Sequence, residues 1–280
     1  PQLSAQKKTL RRSEFDAHIE PDEQDSYDMA LKATQQFYKR LAEYAQSAPS
    51  DEELNTISLE WVDSAFAAYE DRIIDYANQT GTTLLEAIQE LAKTDKQIAK
   101  ILDDTSAAHL EQLSHWKTIP ETIRTEYMNR LSQVAKDATQ NGLNSIRTIL
   151  EQAQAEEWER DYLQEQLEKL TTGSRAELLA RNELVNSQRL GSYYSARNMS
   201  DDLQVQLEKQ WNSSHDATVC DFCRYMDGKT VDIDGTFMEN GDEITIGDTT
   251  YVNDWMSKTT CDGHPNCRCY QTYIVKGAKQ

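Results

Sequence analysis

The sequence predicts an α+β fold in which a long, mostly α-helical N-terminal part precedes a small α+β module with β-hairpins. Three observations predict it. Of ten glycines only Gly81 and Gly142 precede residue 173, and glycine weakens helix interiors while serving turns. Apolar residues of the first part recur at steps of three and four, the period of one helical face. After Trp211 the pattern changes to short alternations separated by turn dipeptides, as expected of half-buried strands.

Residues 1–21 are polar and charged, with "KKTLRR" a short basic patch, and are expected to form a flexible tail. A helical domain is expected over 22–172. Val62, Phe66, Tyr69, Ile73 and Tyr76 make one apolar stripe, Leu84, Ile88 and Leu91 a second, and Ile123, Tyr127, Leu131, Val134 and Ala138 a third. Ser50 with Glu53 and Ser174 with Glu177 have capping-box spacing, and Pro120 suits a first helical turn. Helix is expected from about 22 to 211, so the module over 173–280 opens on one. Its strands are expected in "TVDID", "EITIGDTTYV" and "YQTYIV". The turns fall at Asp227-Gly228, Asp234-Gly235, Asn240-Gly241 and Asp262-Gly263.

Composition narrows the function. Lys plus Arg is 29 against 48 Asp plus Glu, a net charge of -19. Phosphate backbones are bound by basic side chains that release counterions, so DNA contact is expected to be peripheral at most. With 38% hydrophobic residues and a mean hydropathy of -0.77, the chain is expected to bury part of its apolar surface in an assembly, its own copies included. No run of about 18 apolar residues occurs, and the N-terminus lacks an apolar signal-peptide core, so a soluble, non-secreted protein without a membrane partner is expected. The acids between Asp216 and Asp254 show no calcium-loop spacing and read as solvated loops.

The chemistry concentrates in the cysteines. "CDGHPNCRCY", residues 261–270, holds three of the five. The other two form the C-x-x-C pair Cys220 and Cys223, and His264 with Cys267 repeats the two-residue spacing. Two such knuckles supply the four soft ligands of a tetrahedral zinc site. The preferred structural Zn2+ ligands are Cys220, Cys223 and His264 with either Cys267 or Cys269; Cys261 is the reserve. The alternatives are reduced thiols packing as small hydrophobes and a redox C-x-x-C, which lacks its βαβ setting. A deaminase would place H-x-E beside the zinc, yet His18-Ile19-Glu20 and His109-Leu110-Glu111 lie far upstream. A histidine-metal nuclease would need more than His215 and His264. No catalytic residue and no enzyme activity is therefore expected, a zinc-dependent enzyme acting on nucleic acid being the alternative.

The order "ARNELVNSQRLG", "KQWNSSHDATVCDFCRYMDGKTVDIDGTF", "HPNCRC" resembles the Mu F-like head morphogenesis family, minor head proteins of tailed phages. Arg181, Glu183, Trp211, Asp216, Cys220, Cys223, Asp227, Gly228, Val231, Phe237, His264, Pro265, Cys267, Arg268 and Cys269 occupy the places of that frame, with Asn182 where threonine is usual. The resemblance covers about 173–275. It implies a minor capsid protein of the virion, inside the procapsid at the portal vertex and in the host cytoplasm during assembly. Portal protein and major capsid or scaffolding protein are the implied partners in head assembly, DNA packaging or ejection. Arg181 and Glu183 read as a surface ion pair or packing anchor, Arg268 as a donor to the thiolates or a nearby carboxylate, and Trp211, Tyr193 and Tyr194 as packing between the two parts, with an exposed binding surface the alternative.

Overall fold

The computed structural model describes residues 23–46, 50–215, 219–254, 256–264 and 267–279. The expected tail at 1–21, Asp216 and Pro265 lie outside them. Among the described residues, seven helices come first: α1 (Gln24–Gln46), α2 (Asp51–Ala92), α3 (Lys96–Asp104), α4 (Ala107–Ser114), α5 (Glu121–Ala155), α6 (Arg160–Thr172) and α7 (Ser174–Asp202). Their starts are chemically marked. Ser50 Oγ accepts from the Glu53 N–H at 3.2 Å, Asp95 caps α3 through the Gln97 and Ile98 N–H groups, and α5 begins directly after Pro120, whose carbonyl accepts from Arg124.

The chain divides into two compact units, each made from separated segments. The first takes the described residues up to Ala68 together with Leu131–Ala180; the second takes Tyr69–Arg130 together with Arg181 onward. In the first unit α1 packs on α6, and Trp61 Nε1 donates to Thr34 Oγ1 at 3.1 Å beside Phe37. In the second unit α2 and α7 cross closely at Gly191, where any Cβ would collide with the Ile73 carbonyl. A hydrogen bond between Thr80 and Ser192 hydroxyls, 2.7 Å, secures that crossing.

The three stripes lie in the cores of their helices: Val62, Phe66, Tyr69, Ile73, Leu84, Ile88, Ile123, Tyr127, Leu131, Val134 and Ala138 are buried, while Tyr76 and Leu91 are half-buried. Burial within the chain accounts for them.

Helix does not continue to 211. It ends at Asp202, Ser200 Oγ donates to the Val205 carbonyl at 2.7 Å, and Val205–Asn212 is a strand, β1. Val205, Leu207, Lys209 and Trp211 are its buried residues, a period of two masked in the sequence by a lysine at a core position. After β1 come α8 (Asp221–Met226), β2 (Thr230–Asp232), β3 (Glu243–Ile246), β4 (Thr249–Val252) and β5 (Tyr270–Ala278). β1 is the centre of an antiparallel sheet ordered β2-β1-β5, while β3 and β4 form a separate hairpin. Gly228, Gly241 and Gly247 have positive φ, as their turns require.

Between sheet, α8 and hairpin lies one cluster. Trp211, Phe222, Met226 and Met238 are buried with Cys223, Cys261, Cys267 and Cys269, and Phe237, Ile244, Ile246 and Tyr251 pack against them. Trp211 is wholly buried, edge-on to Phe222 and Phe237 at 5.9 and 5.2 Å.

Candidate metal centre

The first knuckle is a helix start. Cys220 is the N-cap of α8, and its sulfur accepts the Cys223 N–H at 3.3 Å, which fixes both sulfurs on one side of the turn. The second knuckle closes through the Cys267 N–H, which donates to the His264 carbonyl at 3.0 Å. Together they bring His264 Nε2 to 3.1 Å from Cys220 Sγ and 3.3 Å from Cys223 Sγ, with Cys223 Sγ 3.7 Å from Cys267 Sγ. Ligand atoms on a zinc tetrahedron are separated by about 3.5–3.8 Å when the bonds are about 2.0–2.3 Å; the Cys223–Cys267 spacing lies in that range and the two His264 spacings are shorter.

Among the described residues, two sets of three ligand atoms lie within 4.8 Å of one another: Cys220, Cys223 and His264, and Cys223, Cys267 and Cys269. Cys223 is common to both. Cys261 belongs to neither set; its carbonyl accepts from the Cys267 thiol at 3.4 Å, and burial pushes its own thiol pKa up.

Sulfurs this close share protons. Donation from Cys223, with further help from His264, lowers the Cys220 thiol to about 4. Cys267 is likewise lowered by Cys223 and Cys269, and Cys223, donor to both, is raised far above the ordinary thiol range. Cys269 accepts help from Cys223, but its donation to Cys267 and its burial outweigh that and raise it to about 12. A divalent cation would take the place of these shared protons, because thiolates are the species that ligate.

The backbone of the loop is held by a residue of the "ARNELVNSQRLG" stretch that the sequence reading did not single out. Arg189 of α7 is buried. Its Nε and Nη2 donate to the Cys269 carbonyl at 3.0 and 2.8 Å, Nη2 also reaches the Cys267 carbonyl at 2.8 Å, and Nη1 donates to Asn186 Oδ1 at 2.9 Å. Burial alone would lower its pKa, but the sulfurs of Cys261 and Cys267 and the Asp262 carboxylate outweigh it and raise the pKa. Another arginine, the half-buried Arg130, lies 3.7 Å from Asp262 and 3.5 Å from Glu183. Glu183 also accepts from Asn186 at 3.1 Å, so α5, α7 and the cysteine loop share one polar network. Arg181 and Glu183 are both buried, as a packing anchor should be.

The remaining residues of the predicted frame are structural. Asp227 Oδ1 accepts the Ser213 N–H at 2.7 Å, and the Gly228 N–H donates to the Trp211 carbonyl at 2.8 Å, which seats the β1–β2 turn on α8. Tyr193 and Tyr194 are buried, the latter donating to Glu126 at 2.6 Å. His109 pairs with Asp202 at 3.3 Å, and Arg268 is half-buried beside β5.

The family described as Phage Mu protein F like protein matches residues 77–272. The chain belongs to that family. The match takes in the end of α2 and all of α3, α4 and α5 as well as the cysteine loop, so the family frame reaches about a hundred residues upstream of the resemblance drawn from the motifs. It is a family of structural phage proteins associated with head morphogenesis, which makes this a protein of the virion. No described helix is long and apolar enough to cross a membrane. No curated protein and no solved structure matches the chain.

Proposed function

We propose that the chain is a minor head protein that acts from the capsid interior, bound at the portal vertex or to the shell. It would serve head assembly, DNA packaging or ejection through contacts with other proteins. The family match over residues 77–272 carries this reading. Charge supports protein over DNA as the principal partner, since 48 acidic residues face 29 basic ones.

The Cys/His cluster is assigned to a structural Zn2+ held by Cys220, Cys223, His264 and Cys267. Cys267 is preferred to Cys269 because its sulfur lies at tetrahedral-edge distance from Cys223. Four protein ligands close the coordination shell, the arrangement of a structural rather than a catalytic zinc. Within the aromatic cluster the ion would tie α8 to the 261–269 loop, a cross-link worth roughly 10–16 kcal/mol of apparent binding free energy at neutral pH.

Two measurements test the two parts. Purified chain mixed with portal and shell proteins should co-sediment with assembled procapsids, and should not do so when procapsids lack the portal if the vertex is its seat. Failure to associate with either protein removes the assembly role. Elemental analysis of untagged protein should find about one zinc per chain, lost on Cys223→Ser. A metal-free protein with a fully folded C-terminal sheet would remove the zinc assignment.

A further inference from the structure

The donors of the cysteine cluster do not form one shell. Among the described residues they fall into the two sets of three that share Cys223, and no four of them lie within 4.8 Å of one another. The sets differ in exposure. Cys220 is half-buried and His264 exposed, whereas Cys223, Cys267 and Cys269 are 3, 4 and 3% exposed.

The buried set is soft throughout. Its three donors are sulfurs, and no carboxylate or imidazole of the described residues joins them. The side chains buried with it include Trp211, Phe222, Met226 and Met238, which bring aromatic rings and thioethers but no oxygen. Zn2+ on three protein ligands takes water as its fourth, which a set this deeply buried disfavours. A monovalent thiophilic ion such as Cu(I) is held by thiolates and thioethers and costs less to strip of water, because the solvation of an ion grows steeply with its charge. With metal–sulfur bonds of about 2.3 Å, three sulfurs spread evenly in a plane stand about 4.0 Å apart. Cys223 Sγ and Cys267 Sγ are 3.7 Å apart, and the other two pairs lie within 4.8 Å. Arg189, on the carbonyls of Cys267 and Cys269, fixes two of the three ligands from behind without entering the shell.

We propose that Cys223, Cys267 and Cys269 form a second metal site, a trigonal thiolate set for Cu(I), whose filling expels zinc from the neighbouring set. The inference rests on the zinc assignment only for that expulsion: zinc on Cys220, Cys223, His264 and Cys267 shares two sulfurs with the copper set, so one ion leaves as the other enters. In the exchange three copper–sulfur bonds replace three zinc–sulfur bonds and one zinc–nitrogen bond. The Cys269 thiol gives its proton to solvent, zinc departs as Zn2+, and no electron is transferred.

The test uses the full untagged chain, reduced and free of oxygen, titrated with Cu(I) buffered by bicinchoninate while a zinc-responsive dye follows Zn2+. About one Cu(I) should bind per chain, with about one Zn2+ released from zinc-loaded protein. X-ray absorption at the copper edge of the unsubstituted protein should show sulfur neighbours and no imidazole. Cys269→Ser should weaken Cu(I) binding by more than the roughly 100-fold that loss of an outer partner can cost, with zinc affinity within about threefold of the parent. His264→Gln, at an exposed position, should do the reverse.

Imidazole in the copper shell, a Cys269→Ser protein that keeps its Cu(I) affinity, or a His264→Gln protein that loses it overturns the second site. A Cys269→Ser protein that loses zinc along with copper shows a single shared site and overturns it as well, and a chain that holds both ions at once overturns the expulsion. If Cys269→Ser does not fold, the copper-edge spectrum and His264→Gln decide. Zinc binding without Cu(I) binding removes this inference and leaves the zinc assignment; Cu(I) binding by a chain that takes no zinc removes the zinc assignment and leaves the trigonal set.

Discussion

Arg189 carries the strongest consequence at the level of single residues. Its guanidinium satisfies the carbonyls of Cys267 and Cys269 at once, a planar two-acceptor grip that a lysine ammonium cannot reproduce. Metal ligands held from behind in this way keep their spacing without the ion, which lowers the ordering cost of binding it. Arg189→Lys should therefore weaken zinc binding about 10–100-fold while Arg189→Met, which also strands two buried carbonyls, should cost about 2–5 kcal/mol of stability. Competition against a chromophoric chelator measures the first and denaturant unfolding the second. Unchanged zinc affinity in Arg189→Lys would sink the positioning role.

Among the elements, β1 is the one whose chemistry contradicts its sequence. Lys209 is wholly buried in the middle of the central strand, donating to the Ile233 carbonyl at 2.8 Å with its ammonium 4.5 Å from the Tyr193 ring centre. Desolvation lowers its pKa to about 8 from 10.5, against the pull of Asp234. Because the folded chain releases this proton at lower pH than the unfolded chain does, the lysine's contribution to stability rises with pH between about 8 and 10.5 and is lost as pH falls through the folded value. Relative to Lys209→Met, the parent protein should gain roughly 2 kcal/mol between about pH 7 and about pH 9.5. Denaturant unfolding of both proteins at the two pH values gives the difference. A gap independent of pH would mean that Lys209 is not titrating in this window.

At the level of the whole molecule, the Cys/His cluster belongs to one compact unit and the helices α1 and α6 to the other. Chelation of zinc should therefore expose β1, α8 and β5 to hydrogen exchange while α1 and α6 keep their protection, because their burial comes from Phe37, Tyr38, Leu41 and Leu167 and not from the cysteines. Exchange mass spectrometry before and after chelator addition reads this directly. Uniform loss of protection would show that the two units unfold as one.

Periodicity determined where the long helices form, since three- and four-residue steps are local, and it marked "EITIGDTTYV" as β without showing that Gly247-Asp248 splits it into the β3–β4 hairpin. The cysteine spacing likewise determined the two knuckles, because a C-x-x-C or H-x-x-C turn places its own side chains. What the tertiary structure decided is everything that closes over distance. It brought Cys220 to His264 across 44 residues and Arg189 to the Cys267 carbonyl across 78, and left Cys261 outside both ligand sets although it shares their decapeptide. It also made β1 a strand, because pairing with β2 and β5 and a carbonyl for Lys209 outweighed a pattern that reads locally as helix. Local sequence fixes which groups sit side by side on one turn; which turns meet depends on chain paths that only the folded packing selects.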